Sequence, residues 1–187
     1  MSWLTRDPHE ERFLGALASQ TDRVVGLTAP ILIDRRLVLA IQARWTDTED
    51  GKLFDELFRD GGALGSPKTR AQVAFAIGLI DEPALKDMLT VLKIRNAFAH
   101  LLEADSFAEQ RVATLAGNLA LPDLYPAAGP GLGAAPADGA SPEDLRQRLL
   151  RASAMVAIAG PRARFLRATE ILTNMLWLAF NRPARET

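Results

Sequence analysis

The segment Arg95-Asn96-Ala97-Phe98-Ala99-His100, near the middle of the chain, contains residue types that could do chemistry. Asn96 and His100 are four residues apart, so they share one face of a helix, with Arg95 set alongside. An imidazole that titrates near neutrality could move the proton of a ribose 2′-hydroxyl, and a guanidinium could hold the phosphate. This combination suits metal-free cleavage of RNA. Because the segment has one histidine, a separate acid and base would require two chains.

The helix that must position this segment gives it a second interpretation, which is structural. We take Pro83 to Glu103 as one helix at about 100° per residue. Apolar side chains then fill nearly all of its circumference, and Arg95 falls close to the centre of that apolar arc. Asn96 lies inside the edge of the arc and His100 at its border. The narrow polar face comprises Lys86, Thr90, Lys93 and Ala97.

A buried arginine needs a charged partner, because its guanidinium cannot be deprotonated. The sequence offers Asp34 and Glu170 as buried carboxylates that could pair with Arg95. In this interpretation the motif organises the core or a dimer interface. Its members are Asp34, Arg95, Asn96, Phe98 and His100.

Composition excludes several other kinds of site. The chain has 187 residues, of which 48% are apolar, and a formal net charge of −1, so it lacks the basic excess of an electrostatic nucleic-acid binder. It has no cysteine, which rules out disulfides, thiolate catalysis and cysteine-based zinc sites. His9 and His100 are the only histidines. We therefore expect no metal and no cofactor.

The sequence also predicts where the protein works. The N-terminus has no apolar signal core, and no apolar run approaches the roughly 18–20 residues of a membrane span. We expect a cytoplasmic protein with no membrane contact.

Helix-start and helix-stop residues divide the chain into helices, with hardly any two-residue periodicity. The predicted fold is therefore all-α, a bundle of about six to eight helices. Pro30 should kink the second helix, and a helix after Ser106 is the weakest of the set. The predicted helices span 8–19, 22–45, 53–58, 67–80, 83–103, 106–119, 141–159 and 162–180.

Two connections are predicted to be flexible within a single domain, 1–187. One contains Gly61, Gly62 and Gly65. The other, 122–141, is rich in Pro, Gly and Ala and almost uncharged, and it precedes the last two helices. The final helix is apolar enough to offer an interface, and Arg164 and Arg167 on it could contact an anionic partner.

Several segments spread along the chain form a combination that is more specific than any one of them. They are Thr21-Asp22-Arg23, Leu32 to Leu37, Leu64-Gly65-Ser66, Ala74 to Ile80, Ile94 to His100 and Pro161 to Phe165. In order and spacing, over roughly 20–180, they resemble the mannitol operon repressor (MtlR) family. The departures from its pattern are Pro30, Arg70 in place of a lysine, and the insertion at 122–140. The resemblance implies an all-helical regulator named for repression of a sugar-alcohol operon.

The segment from Arg95 to His100 also resembles the arginine–histidine signature of HEPN helical ribonucleases, which carry a polar residue after the arginine. Those domains dimerise so that two motifs face a shared cleft. This resemblance covers the motif helix and the general helical build only.

Two functional hypotheses follow. The first is a non-enzymatic regulator that acts through a protein partner, since no helix-turn-helix precedes a helix of base-reading side chains and direct DNA binding is not expected. The alternative is a HEPN-like endoribonuclease, which would bind RNA and use Arg95, Asn96 and His100 across a homodimer. Catalysis requires Arg95 and His100 in an accessible cleft, whereas the structural role requires them enclosed.

Overall fold

The computed structural model describes residues 8–17, 19–44, 51–100, 105–125 and 160–181. Within these ranges all regular structure is helical, as the sequence predicts. In chain order the helices are α1 (Pro8–Leu17), α2 (Asp22–Gln42), α3 (Lys52–Phe58), α4 (Pro67–Ala76), α5 (Glu82–His100), α6 (Gln110–Gly117), α7 (Leu121–Leu124) and α8 (Pro161–Asn181).

Helices α2, α5 and α8 form the centre of the bundle. Helix α2 packs most extensively against α8 and also contacts α5 and α4, while α8 also contacts α5, α6 and α7. The core includes three aromatic rings in a row, since the centroids of Phe98 and Phe107, and of Phe107 and Phe165, are 5.0 Å apart. Helix α2, from the first half of the chain, and helix α8, from its end, therefore belong to one core.

Capping side chains define several helix starts. The Ser66 hydroxyl accepts a hydrogen bond from the Thr69 N–H at 3.0 Å, and Asp81 Oδ1 accepts one from the Ala84 N–H at 3.0 Å. Helix α4 ends at Ala76, earlier than the predicted Ile80, because the chain turns through Gly78 at φ 72°.

The predicted flexible connection around Gly62 and Gly65 is instead a closely packed turn. The Leu64 N–H donates to the Leu57 carbonyl at 2.8 Å, and the Gly65 N–H donates to the Gly62 carbonyl at 2.9 Å. A Cβ on Gly62 would lie 2.4 Å from the Leu57 carbonyl oxygen, so only glycine fits there.

The predicted linker at 122–141 is wrong at its first residues. Pro122 belongs to α7, and both Pro122 and Tyr125 are buried. The remainder of that linker and the predicted helix 141–159 lie outside the described residues.

Helix α2 continues through Pro30 to Gln42.

The apolar residues of the final helix are divided between the core and the surface. Ile171, Leu172 and Leu176 are buried in the core of the chain, whereas Met175, Trp177 and Leu178 are half-buried and Phe180 is exposed. Helix α8 therefore contributes much of its apolar face to the bundle.

Candidate functional site

The motif segment lies at the C-terminal end of α5, and its polar side chains face outward. Arg95, Asn96 and His100 are exposed, whereas Phe98 is completely buried. The Arg95 Nη1 donates to Asn96 Oδ1 at 3.1 Å. The expectation that Arg95 is buried and paired with a carboxylate is therefore wrong.

The extent of α4 explains the exposure of Arg95. Met88 lies seven residues before Arg95, close to two helical turns, so both residues are on the same side of α5. Met88 is buried, and Leu92 lines a depression together with Pro67, the first residue of α4. Arg95 lies one turn beyond Leu92, where α4 no longer covers α5.

The first predicted counter-ion of Arg95 pairs with a different arginine. Arg70 Nε donates to Asp34 Oδ1 at 2.8 Å, and Arg70 Nη2 donates to Asp34 Oδ2 at 2.7 Å, a bidentate pair between α2 and α4. Arg70 Nη1 also donates to the carbonyls of Leu64, at 2.7 Å, and Gly65, at 3.1 Å. Arg70 is 7% exposed. This pair joins two helices and the glycine turn.

The second predicted counter-ion also has another partner. Glu170 Oε2 accepts a hydrogen bond from Arg167 Nη1 at 2.8 Å, and Arg167 donates further to the Tyr125 carbonyl. Arg164 donates to both carboxylate oxygens of Asp123, at 2.8 and 2.6 Å. The arginines expected to contact an anionic partner thus pair within the chain.

Asp87 is an important buried carboxylate that the sequence analysis missed. It is 1% exposed, and its two oxygens accept hydrogen bonds from the Ala120 N–H at 2.9 Å and the Leu121 N–H at 2.8 Å. Burial raises the pKa of Asp87 above its usual value, against the opposing effect of these hydrogen bonds. Its helical spacing from the buried residues Ala84, Val91 and Ile94 is the feature of the sequence that could have identified Asp87 as buried.

Asp22 ties three distant parts of the chain together. It accepts hydrogen bonds from the Ser106 hydroxyl, the Phe107 N–H and the Arg162 guanidinium, and Arg162 also donates to the Gln20 carbonyl. Burial raises the pKa of Asp22, but the hydrogen bonds from Phe107, Arg162 and Ser106 outweigh it, so the pKa lies below its usual value. The interior carboxylates therefore serve the fold, and no buried side-chain N or O atom within the described residues lacks a partner.

An apolar depression lies between α2, α4 and α5, next to the motif segment. It is shallow and partly open to solvent. We call it the α2–α4–α5 depression. It is lined by Pro30, Ile33, Asp34, Leu37, Pro67, Ala71, Met88, Val91 and Leu92.

In the ranges that the structure covers, no group of three metal-ligating side chains comes together. Over the same ranges, no helix has both the length and the apolar character needed to cross a membrane.

Comparison with known proteins places the fold in a defined class. No protein-family profile matches the chain, and no curated protein matches it in sequence. Among solved structures, the chain is similar to one in the X-ray structure of the MtlR–HPr complex from Escherichia coli. The TM-score is 0.60 at 20% identity, and the match covers 91% of this chain and 99% of that chain. The chain is thus an all-α bundle with an MtlR-like fold.

Proposed function

We propose that this chain is a non-enzymatic regulator of the MtlR type that acts by binding a protein partner. The observation that carries the proposal is the structural overlap with one chain of the E. coli complex, which covers 91% of this chain and 99% of that one. In that complex the partner is the protein HPr. We infer that an HPr-type protein is the partner here as well.

The distribution of polar groups supports a binding role. Asp34, Glu170, Arg164 and Arg167 form pairs within the chain, so they contribute to the fold. The polar groups that remain available in the motif segment are exposed at one end of α5. Exposed polar side chains beside an apolar depression are typical of a contact surface.

The ribonuclease alternative has less support. Arg95 and His100 are accessible, as catalysis would require, but the depression beside them is lined by other residues. The solved structure that the chain resembles is that of an MtlR–HPr complex. A regulator that contacts a protein remains the better account of the fold.

Calorimetric titration tests the partner. The purified chain is titrated with the HPr of its own source and, separately, with E. coli HPr. We expect saturable binding to the HPr of its own source, with weaker or no binding to E. coli HPr. Absence of binding to both by a chain whose helical circular dichroism is intact would contradict the proposal.

Deletion of the gene tests the regulatory role. We expect transcripts of the mannitol operon to rise in the deletion strain, and to fall again when the gene is supplied in trans. Unchanged transcripts together with RNA cleavage by the purified chain would overturn the regulator proposal.

A further inference from the structure

The α2–α4–α5 depression has the lining of a contact surface for an apolar side chain. Eight of its nine lining residues are apolar, contributed by three helices. The depression is shallow and partly open to solvent. It therefore suits a side chain that packs across it better than a small molecule enclosed in a cavity.

Two exposed cations, Lys68 and Arg95, flank lining residues of the depression. Its single ionisable lining residue, Asp34, has both oxygens engaged by Arg70, so the pair is neutral overall. Lys68 follows the lining residue Pro67, and Arg95 lies three residues after the lining residue Leu92. Both cations are exposed, and neither forms an ion pair within the described part of the chain.

We propose that the α2–α4–α5 depression is a docking site for an acidic segment of a partner protein, which packs one apolar side chain against α2, α4 and α5. Carboxylates beside that side chain pair with Lys68 and Arg95. The inference rests on the proposed function, because it names the surface and the chemistry through which a partner is held.

The lining favours a protein segment over a nucleic acid. Single-stranded nucleic acids are held by stacking of bases on aromatic side chains along a basic groove. The depression contains proline, isoleucine, leucine, methionine, valine and alanine side chains and no aromatic ring. Aliphatic pockets that anchor one or two side chains are typical of peptide recognition in a groove.

Selection from a random peptide library tests this site without knowledge of the partner. Phage-displayed peptides are selected on the wild-type chain and counter-selected on the double variant Lys68→Glu/Arg95→Glu. We expect enriched peptides with a large apolar residue flanked by aspartate or glutamate. Their synthetic counterparts should bind in fluorescence anisotropy, and replacement of the apolar residue by serine should abolish binding.

Single variants assign the binding to this surface. Lys68→Glu and Arg95→Glu should each weaken the peptide about tenfold, equivalent to about 1.4 kcal/mol. The matched controls are Arg35→Glu and Lys93→Glu, which alter exposed cations that lie at least about 100° around α2 or α5 from every lining residue. Lys68 and Arg95, by contrast, lie within about 60° of a lining residue of α4 or α5. These controls should change affinity by no more than about twofold.

The proposal would be overturned if no peptide were enriched, or if the enriched peptides lacked acidic residues. It would also be overturned if the control variants weakened peptide binding as much as the test variants do, or if an RNA oligonucleotide bound with the same sensitivity to Lys68→Glu and Arg95→Glu.

Titration of HPr separates this docking site from the proposed function. Binding of HPr that is unaffected by both variants, with no peptide enriched, would leave the proposed function standing and refute this docking site.

Discussion

Gly26 of α2 lies against the ring of Phe98 of α5, so closely that a Cβ on Gly26 would be 2.1 Å from Phe98 Cδ2. No real Cβ is accommodated at that distance, and Phe98 itself is fully buried beside Phe107. The absence of a side chain at Gly26 is therefore what allows Phe98, a member of the motif segment, to enter the core.

Gly26→Ala should destabilise the protein. Overpacking of this kind lowers the free energy of unfolding by about 1–3 kcal/mol or more, and urea denaturation measures it. The control is Gly15→Ala, at an exposed position of α1 with nothing within 4 Å, which should stabilise by up to about 1 kcal/mol. In a double-mutant cycle, Phe98→Leu should partly restore the stability lost in Gly26→Ala. If it does not, the close contact between Gly26 and Phe98 is not the cause of the loss.

Arg70→Met should also destabilise, because it leaves Asp34 and the carbonyls of Leu64 and Gly65 without their donor. Removal of one partner of a buried pair costs about 3–5 kcal/mol, and partial exposure of Asp34 places the expected loss near the lower end. Arg23→Ala is the control, since its pair with Asp105 is exposed and is worth about 0–1 kcal/mol. If Arg70→Met and Arg23→Ala lowered stability equally in thermal unfolding, the buried pair would contribute no more than the exposed one.

Asp22→Asn should have a pH-dependent effect on stability. The pKa of Asp22 is lowered from 3.8, so the unfolded chain binds the proton more tightly than the folded chain. Its contribution is present above pH 3.8 and is lost as the pH falls through the folded pKa. The deficit of the variant relative to wild type, measured by urea denaturation, should therefore be full at neutral pH and shrink in acid.

The stability deficit of Asp87→Asn should depend on pH in the opposite direction to that of Asp22→Asn. Burial raises the pKa of Asp87 above 3.8, so the folded protein holds this proton more tightly and ionisation opposes folding. The contribution is present below pH 3.8 and falls as the pH rises through the folded pKa. The deficit of this variant should be largest in acid. Deficits of Asp22→Asn and Asp87→Asn that move in the same direction would contradict both assignments.

Arg95→Ala and His100→Ala should leave stability almost unchanged, within about 0.5 kcal/mol, because both side chains are exposed. Phe98→Ala, in the same segment, should lower the free energy of unfolding by about 3–5 kcal/mol. An RNA-cleavage assay on the same proteins checks the alternative function. Cleavage by the wild type that disappears in a folded His100→Ala variant would favour catalysis.

Helix starts were predictable because local residues specify them. Ser66 before Pro67, Asp81 before Glu82 and Gly160 before Pro161 each occur where a helix begins. The MtlR-like fold was likewise anticipated from segments spread along the chain, and the structural comparison agrees with it.

The position of Arg95 could not be predicted from its own helix. Periodicity correctly places it on the side of α5 that carries Met88, but it does not specify where α4 begins to cover that side. The tight turn at Gly62 depends in the same way on a distant residue, since Arg70 binds the neighbouring carbonyls. Such outcomes are set by packing between elements, which local sequence patterns do not encode.

The packing of α8 against α2 has a consequence for synthesis of the protein. Helix α2 is complete at Gln42, but the helix that covers it most extensively ends at Asn181. On the ribosome, the part of α2 that α8 covers must remain exposed until α8 has been made, because chains are made from the N-terminus. Nascent chains that stop before Pro161 should therefore be captured by chaperones, and the length of any translational pause before that point should govern how much of the protein aggregates.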